Sequence, residues 1–149
     1  MRALVQRVSE AGVKIISADY QQGVGIGLVI LIGIKNGDTE KSADYIADKC
    51  CALRIFEDEY KKMNLSLKDI DGEALVISQF TLYGDTSHGN RPGFTDAAKP
   101  DDANKLYEYF VSRVKLNLGD RKVKTGVFGE MMQVKIINEG PVTLMVESK

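Results

Sequence analysis

The sequence predicts an α+β fold of the mixed α/β kind: a single compact domain over residues 1–149, in which a largely antiparallel or mixed β-sheet carries two main helices. Three observations lead there. The 149 residues, 44% hydrophobic and 28% charged, suit one globular unit with its own core. Runs of strand-like composition surround only two stretches of helical periodicity, which favours a mixed sheet over strict strand–helix alternation. No internal repeat or low-complexity tract divides the chain.

Taken in order, Leu4, Val5 and Val8 among Arg2, Gln6 and Arg7 open a strand over residues 2–8. It resumes at Val13–Ile16 after an interruption near Ser9–Gly12, and its polar positions suggest partial exposure. Ile26–Ile34 is almost continuously apolar, β-branched and flanked by glycines, which fits a strand buried on both faces at the centre of the sheet. Asn36-Gly37-Asp38-Thr39 turns into a helix cap, and Ala43, Ile46, Ala47, Cys50 and Leu53 then recur at helical spacing, giving a helix over about 39–54. The polar stretch Glu57–Asp71 reads as an excursion within the domain, and Glu73–Phe80 as another buried strand. Tyr83–Pro100, rich in glycine and short polar residues, is a long irregular segment of the kind expected beside a functional site. Pro100-Asp101-Asp102 opens the second helix, whose apolar face is Ala103, Leu106, Tyr107, Phe110, Val111 and Val114, with Gly119 as its stop. Strand candidates follow at 121–126, 132–138 and 142–148, the last two separated by a Glu139-Gly140-Pro141 turn.

Composition narrows the function. A formal net charge of −1 argues against nonspecific nucleic-acid binding through a broad basic surface, while leaving room for a local RNA contact. Arg2 and Arg7 precede any apolar run, and no segment approaches the roughly 20 apolar residues of a membrane span, so a cytoplasmic protein is expected. Cys50 and Cys51 are adjacent and read as a reduced pair on the first helix; with His88 the sole histidine, no metal site and no cofactor are expected. Gly23-Val24-Gly25-Ile26-Gly27 precedes a strand instead of following one, and Ile30 stands where a third glycine belongs, so these glycines serve a hairpin turn and a strand start, not a nucleotide. No G-x-S-x-G elbow accompanies His88, which reads better as an exposed loop residue than as a catalytic base. Glu57, Asp58 and Glu59 read as a solvated face.

Two segments stand out. In Ile77-Ser78-Gln79-Phe80-Thr81-Leu82-Tyr83 a buried strand runs into hydroxyl and amide side chains, where backbone N–H groups leave the ladder and either face a ligand or simply end a strand. In Asn138-Glu139-Gly140-Pro141-Val142-Thr143 a Gly-Pro pair interrupts two strand-like runs, and proline leaves both peptide isomers open.

These two segments, with the opening Met1-Arg2-Ala3-Leu4-Val5-Gln6-Arg7-Val8 and the central Leu53-Arg54-Ile55-Phe56-Glu57-Asp58 and Lys62-Met63-Asn64-Leu65-Ser66, resemble the D-aminoacyl-tRNA deacylase family, also called D-tyrosyl-tRNA deacylases, from end to end. The resemblance implies a homodimer, with no cofactor or required metal, that acts on the 3′ end of aminoacyl-tRNA. It implies hydrolysis of the D-aminoacyl ester, and of glycyl-tRNA, as chiral proofreading in translation. It further implies that Gly140-Pro141 is cis and reaches into the partner's pocket, where backbone carbonyls hold the α-amino group and no room remains for an L side chain. Ser78, Gln79, Phe80 and Thr81 are then the catalytic residues at the aminoacyl end, with main-chain amides around Gln79 and Phe80 suited to the oxyanion. Thr81 is the nucleophile in one account of the family; in the other the 2′-hydroxyl of the terminal adenosine activates the attacking water. Met132 matches a substrate-binding position beside the adenosine, and Arg7 one that orients the Gly-Pro carbonyls. The sequence departs from the pattern at Gly84, where alanine is frequent, and at Ser87, His88 and Gly93, which replace Arg, Lys and Ser. Those changes bear on how the loop grips the acceptor stem, not on the reaction.

Overall fold

The spine of the molecule, a computed structural model describing residues 1–149, is the strand β1, Arg2–Ile15. Ala3, Val5, Ala11, Val13 and Ile15 are buried at alternating positions, as the two-residue period of a strand demands. The interruption expected near Ser9–Gly12 is absent. Ser9 and Glu10 are simply less covered positions of a continuing strand, and the irregularity lies in its pairing with the last strand.

Along one edge of β1 run β2 (Tyr20–Val24), paired with Ala11–Ile15, and β3 (Gly27–Gly33), paired with Arg2–Val8, both antiparallel. They amount to one long neighbour broken at Gly25-Ile26, so the hairpin turn expected at 23–27 sits instead at residues 16–19, between β1 and β2. The glycines at the break have another use. A Cβ on Gly27 would lie 1.8 Å from the Glu73 carbonyl oxygen, so only glycine lets β3 start against its other neighbour, and the Gly25 N–H donates to the Glu73 carboxylate at 2.6 Å.

That neighbour is β6 (Glu73–Ser78), parallel to β3 and followed outward by β7 (Val123–Thr125), parallel to β6. Parallel neighbours need crossovers. The helices α1 (Glu40–Ala52, capped by Thr39) and α2 (Pro100–Leu118) supply them, and the excursion between α1 and β6 carries the small pair β4 (Phe56–Glu57) and β5 (Met63–Leu65). The strand expected over Glu73–Phe80 ends two residues early, at Ser78, and the strand expected at 121–126 shrinks to three residues behind a 3-10 turn.

β3 is apolar throughout, and β6 between its end residues Glu73 and Ser78, because both faces are covered. Leu28, Ile30, Ile32, Ala74 and Val76 face the helices in the main core with Phe110, while Val29, Leu75 and Ile77 join Val8, Val13 and Val24 in a second cluster on the opposite face. Phe110 is wholly buried, and cutting it to alanine costs about 3–5 kcal/mol. Arg113 of α2 holds the Asp48 carboxylate of α1 with two hydrogen bonds, 2.9 and 2.7 Å, joining the helices on their outer side.

The last strand, β8 (Met132–Glu147), corrects the reading of Glu139-Gly140-Pro141 as a turn. Residues on both sides of it pair antiparallel with the same strand, β1, so the chain does not reverse. The Gly-Pro pair interrupts the ladder without ending it, and what results is a bulge in an edge strand.

Candidate active site

A cavity of about 740 Å³ opens where β6 ends. Ile77, Ser78, Gln79 and Phe80 form one wall, and Met132 and Val134 at the start of β8 form another. The Gln79 N–H makes the last ladder-like bond, to the Ile32 carbonyl at 2.8 Å, and is thereby committed. A 3-10 turn, Phe80–Tyr83, then takes over, with Leu82 N–H donating to Gln79 and Gly84 N–H to Thr81. The first N–H groups of such a turn have no partner inside it, which makes the Phe80 amide the donor on offer at the cavity wall. Arg2 fixes the far end of the turn: its Nη1 donates to the Leu82 carbonyl at 3.0 Å, and its guanidinium sits 4.5 Å from the centroid of the Tyr83 ring. Burial pushes the Tyr83 phenol up to about 12, so it stays protonated at neutral pH.

Of the residues singled out in this segment, Ser78, Gln79 and Phe80 meet Met132 at the cavity, whereas Thr81 is exposed and outside its lining. The Thr81 hydroxyl accepts a hydrogen bond from the Gln79 side-chain amide, a group with no basic character. His88 is exposed in the loop beyond.

Residues that the sequence did not single out complete the cavity. Phe94 sets its ring edge-on to Phe80, centroids 5.1 Å apart, Lys99 stands at the N-cap of α2, and Phe128 and Glu130 come from the turn before β8. Phe94 and Lys99 lie within the Tyr83–Pro100 segment, whose cavity-lining part, Phe94 and residues 97–100, is pinned in place. Asp85 and Gly93 exchange two backbone hydrogen bonds, Ala98 N–H donates to Ile34 at 3.0 Å, and Asn36 binds the carbonyls of Thr95 and Asp96 at 3.0 Å each. A Cβ on Gly84 would stand 3.0 Å from the Phe94 ring, so glycine in place of the frequent alanine leaves that ring its room.

The bulge in β8 lies elsewhere. Thr143 opposes Gln6 and Asn138 opposes Val8, so four residues of β8, 139 to 142, face the single residue Arg7. Arg7, 7% exposed, donates from Nε to the Glu139 carbonyl at 3.1 Å and from Nη1 to the Ile55 carbonyl at 2.6 Å. Gly140 has φ +128°, and a Cβ there would meet Val142 at 2.8 Å and the Arg7 guanidinium at 3.1 Å. The Gly140-Pro141 peptide is cis. Glu139, Gly140 and Pro141 are exposed, none lines the cavity of its own chain, and β1 is the only strand paired with β8. Ile137, Leu144 and Met145 stand exposed along the same strand.

Comparison with known proteins agrees along the whole chain. Residues 4–147 match the model of the family described as D-Tyr-tRNA(Tyr) deacylase. Proteins named D-aminoacyl-tRNA deacylase are 56% identical in Macrococcus caseolyticus (all of this chain, 97% of the relative), 53% in Bacillus cereus (all of both chains) and 47% in Cytophaga hutchinsonii (all of this chain, 98% of the relative). Among solved structures, the c-Myc DNA unwinding element binding protein superimposes with a TM-score of 0.93 at 38% identity, covering 100% of this chain and 99% of that one. A probable eukaryotic D-amino acid tRNA deacylase shares the fold, with a TM-score of 0.83 at 19% identity over 99% of this chain and 98% of that one.

Proposed function

The chain belongs to the D-Tyr-tRNA(Tyr) deacylase family, and on that premise we propose that it hydrolyses the ester between a D-amino acid, or glycine, and the 3′-terminal adenosine of tRNA, sparing the L ester. The observation that carries this reading is a division of labour. A cavity with a free amide at its wall lies in one part of the chain, and an exposed cis Gly-Pro bulge that its own cavity does not use lies in another.

Water attacks the ester carbonyl carbon, the bond to the ribose 3′-oxygen breaks, and that oxygen leaves with a proton. The Phe80 N–H donates to the oxyanion that forms; a donor of this kind is worth about 100-fold in rate. Ser78 and Gln79 shape the aminoacyl end, and Met132 flanks the adenosine. Thr81 has an amide for its partner and no base, which favours the adenosine 2′-hydroxyl as the group that positions and activates the water. The reaction so written calls for no metal and no cofactor.

Two copies joined along the open edge of β8 would each offer Gly140-Pro141 to the other's cavity. Carbonyls of the bulge, oriented by Arg7, then receive the α-ammonium, and an L side chain collides with the bulge while a D side chain points outward. The enzyme works in the cytoplasm, where aminoacyl-tRNA is used; no helix is long and apolar enough to cross a membrane.

The deciding assay is deacylation of matched D- and L-tyrosyl-tRNA in EDTA, with glycyl-tRNA alongside and sedimentation to read the oligomeric state. The expected result is a dimer that removes the D and glycyl esters and spares the L ester. Equal cleavage of both enantiomers, or a requirement for divalent metal, overturns the reading.

A further inference from the structure

We propose that Asn138 is a positioning residue of this site, tying the two ends of the Gly140-Pro141 bulge together and so setting the direction in which the bulge carbonyls face. The proposal rests on the functional reading above, in which that bulge selects the substrate's chirality.

An edge strand has no neighbour on its outer side to discipline an excursion. Here four residues occupy the space opposite one, and the ladder bonds that would hold them are lost. Arg7 takes up one lost bond from the inner side, at the Glu139 carbonyl. Asn138 takes up the other. Its side-chain oxygen accepts the Val142 N–H at 3.0 Å, four residues along, and its side-chain nitrogen donates to the Thr143 hydroxyl at 2.9 Å. Gln6 of β1 also donates to that hydroxyl, at 3.2 Å, which anchors the clamp to the spine of the sheet.

The two anchors bracket Gly140-Pro141: a guanidinium on the carbonyl before it and an amide on the N–H after it. Asparagine suits the task because one short planar group must accept from a backbone N–H and bond a hydroxyl at the same time. Alanine supplies neither bond. Aspartate still accepts from Val142, and the Thr143 hydroxyl needs only to rotate its proton toward the second carboxylate oxygen. Asn138 does not line the cavity, so its effect falls on selection and not on the bond-breaking step.

The test compares kcat/KM on D- and L-tyrosyl-tRNA for the full-length wild type, Asn138→Ala, Asn138→Asp and Thr143→Val, with hydrogen exchange of the Val142 amide and thermal midpoints measured on the same samples. Asn138→Ala is expected to speed Val142 exchange and to lower the D-to-L ratio about tenfold at a nearly unchanged melting temperature, the cost of a misplaced binding group. Asn138→Asp is expected to restore most of the ratio, a rescue that a merely structural role does not produce. Thr143→Val keeps the side-chain shape and removes the hydroxyl, so it should give a smaller loss and serves as the test if Asn138→Ala does not fold. Faster Val142 exchange with an unchanged ratio overturns the positioning role, and unchanged exchange overturns the clamp itself. A wild type that cleaves both enantiomers alike overturns the functional reading, while the exchange measurement still decides whether the clamp exists.

Discussion

The two halves of the proposed site are built by opposite means. At Ser78–Tyr83 a buried strand runs out of partners, and its backbone turns from the ladder into a 3-10 turn braced by Arg2 and by the pinned, cavity-lining part of Tyr83–Pro100. At Asn138–Thr143 an edge strand holds more residues than its partner can match, and the excess is thrown outward and held by Arg7 and Asn138. The first half derives its rigidity from the core beneath it. The second derives it from a few named side chains, so single substitutions should injure it far more.

Gly140→Ala tests that contrast most severely. Its Cβ would stand 2.8 Å from Val142 and 3.1 Å from the Arg7 guanidinium, on a backbone with φ +128°, so the bulge must shift. A displacement near 1 Å in a group that orients substrate costs about 100-fold, and kcat/KM on D-tyrosyl-tRNA is expected to fall by that much while circular dichroism stays native. Near-normal turnover would mean that the bulge does not touch the substrate.

Arg7→Ala should come next. Arg7 is only 7% exposed, and its removal strips the hydrogen bond from the partly covered Glu139 carbonyl and from the buried Ile55 carbonyl, where leaving the oxygen unpaired costs about 2 kcal/mol of stability. Urea unfolding reads that loss, and the D-to-L ratio should drop with it. A stability loss without a change in ratio would assign Arg7 to the fold alone.

The same contrast explains what could be read in the sequence. β3, β6 and the two helices announce themselves because burial on both faces or on one helical stripe leaves a periodic pattern, and the end of β6 is visible as the place where apolar residues give way to Ser78 and Gln79. The bulge leaves no such pattern. Asn-Glu-Gly-Pro has the composition of a turn, and only the pairing of both flanks with β1 distinguishes a bulge from a reversal. The polar Ser9-Glu10 likewise mimics a break in what is an unbroken strand. Phe94 and Lys99 lie in the irregular segment that the sequence places beside a site, though nothing local singles them out, whereas Phe128 and Glu130 reach the cavity through tertiary folding alone.

Thr81→Ala probes the sturdier half and should do little. The hydroxyl lies outside the cavity lining with only the Gln79 amide as partner, so kcat/KM should fall by no more than about threefold, a loss of alignment and not of a nucleophile. Abolished turnover with folding and tRNA binding intact would restore a threonine nucleophile and sink the RNA-assisted route.

The smallest effect belongs to a region outside both halves, and it calibrates the others. Hydrogen bonds from the Arg113 guanidinium hold the Asp48 carboxyl down to about 2, from an ordinary value of 3.8. A depressed folded-state value means that the unfolded chain binds the proton first. The stabilisation is therefore complete above about pH 4 and is lost as pH falls through about 2. Because the pair is partly open to water, screening keeps the contribution modest, and added salt should shrink it further. Asp48→Asn should thus lower the urea midpoint slightly at pH 7, match wild type near pH 2, and leave the D-to-L ratio untouched at every pH where the protein is folded. If that ratio moved, the helices would be coupled to the proposed chiral selector, and the separation between a core-braced half and a side-chain-braced half would not hold.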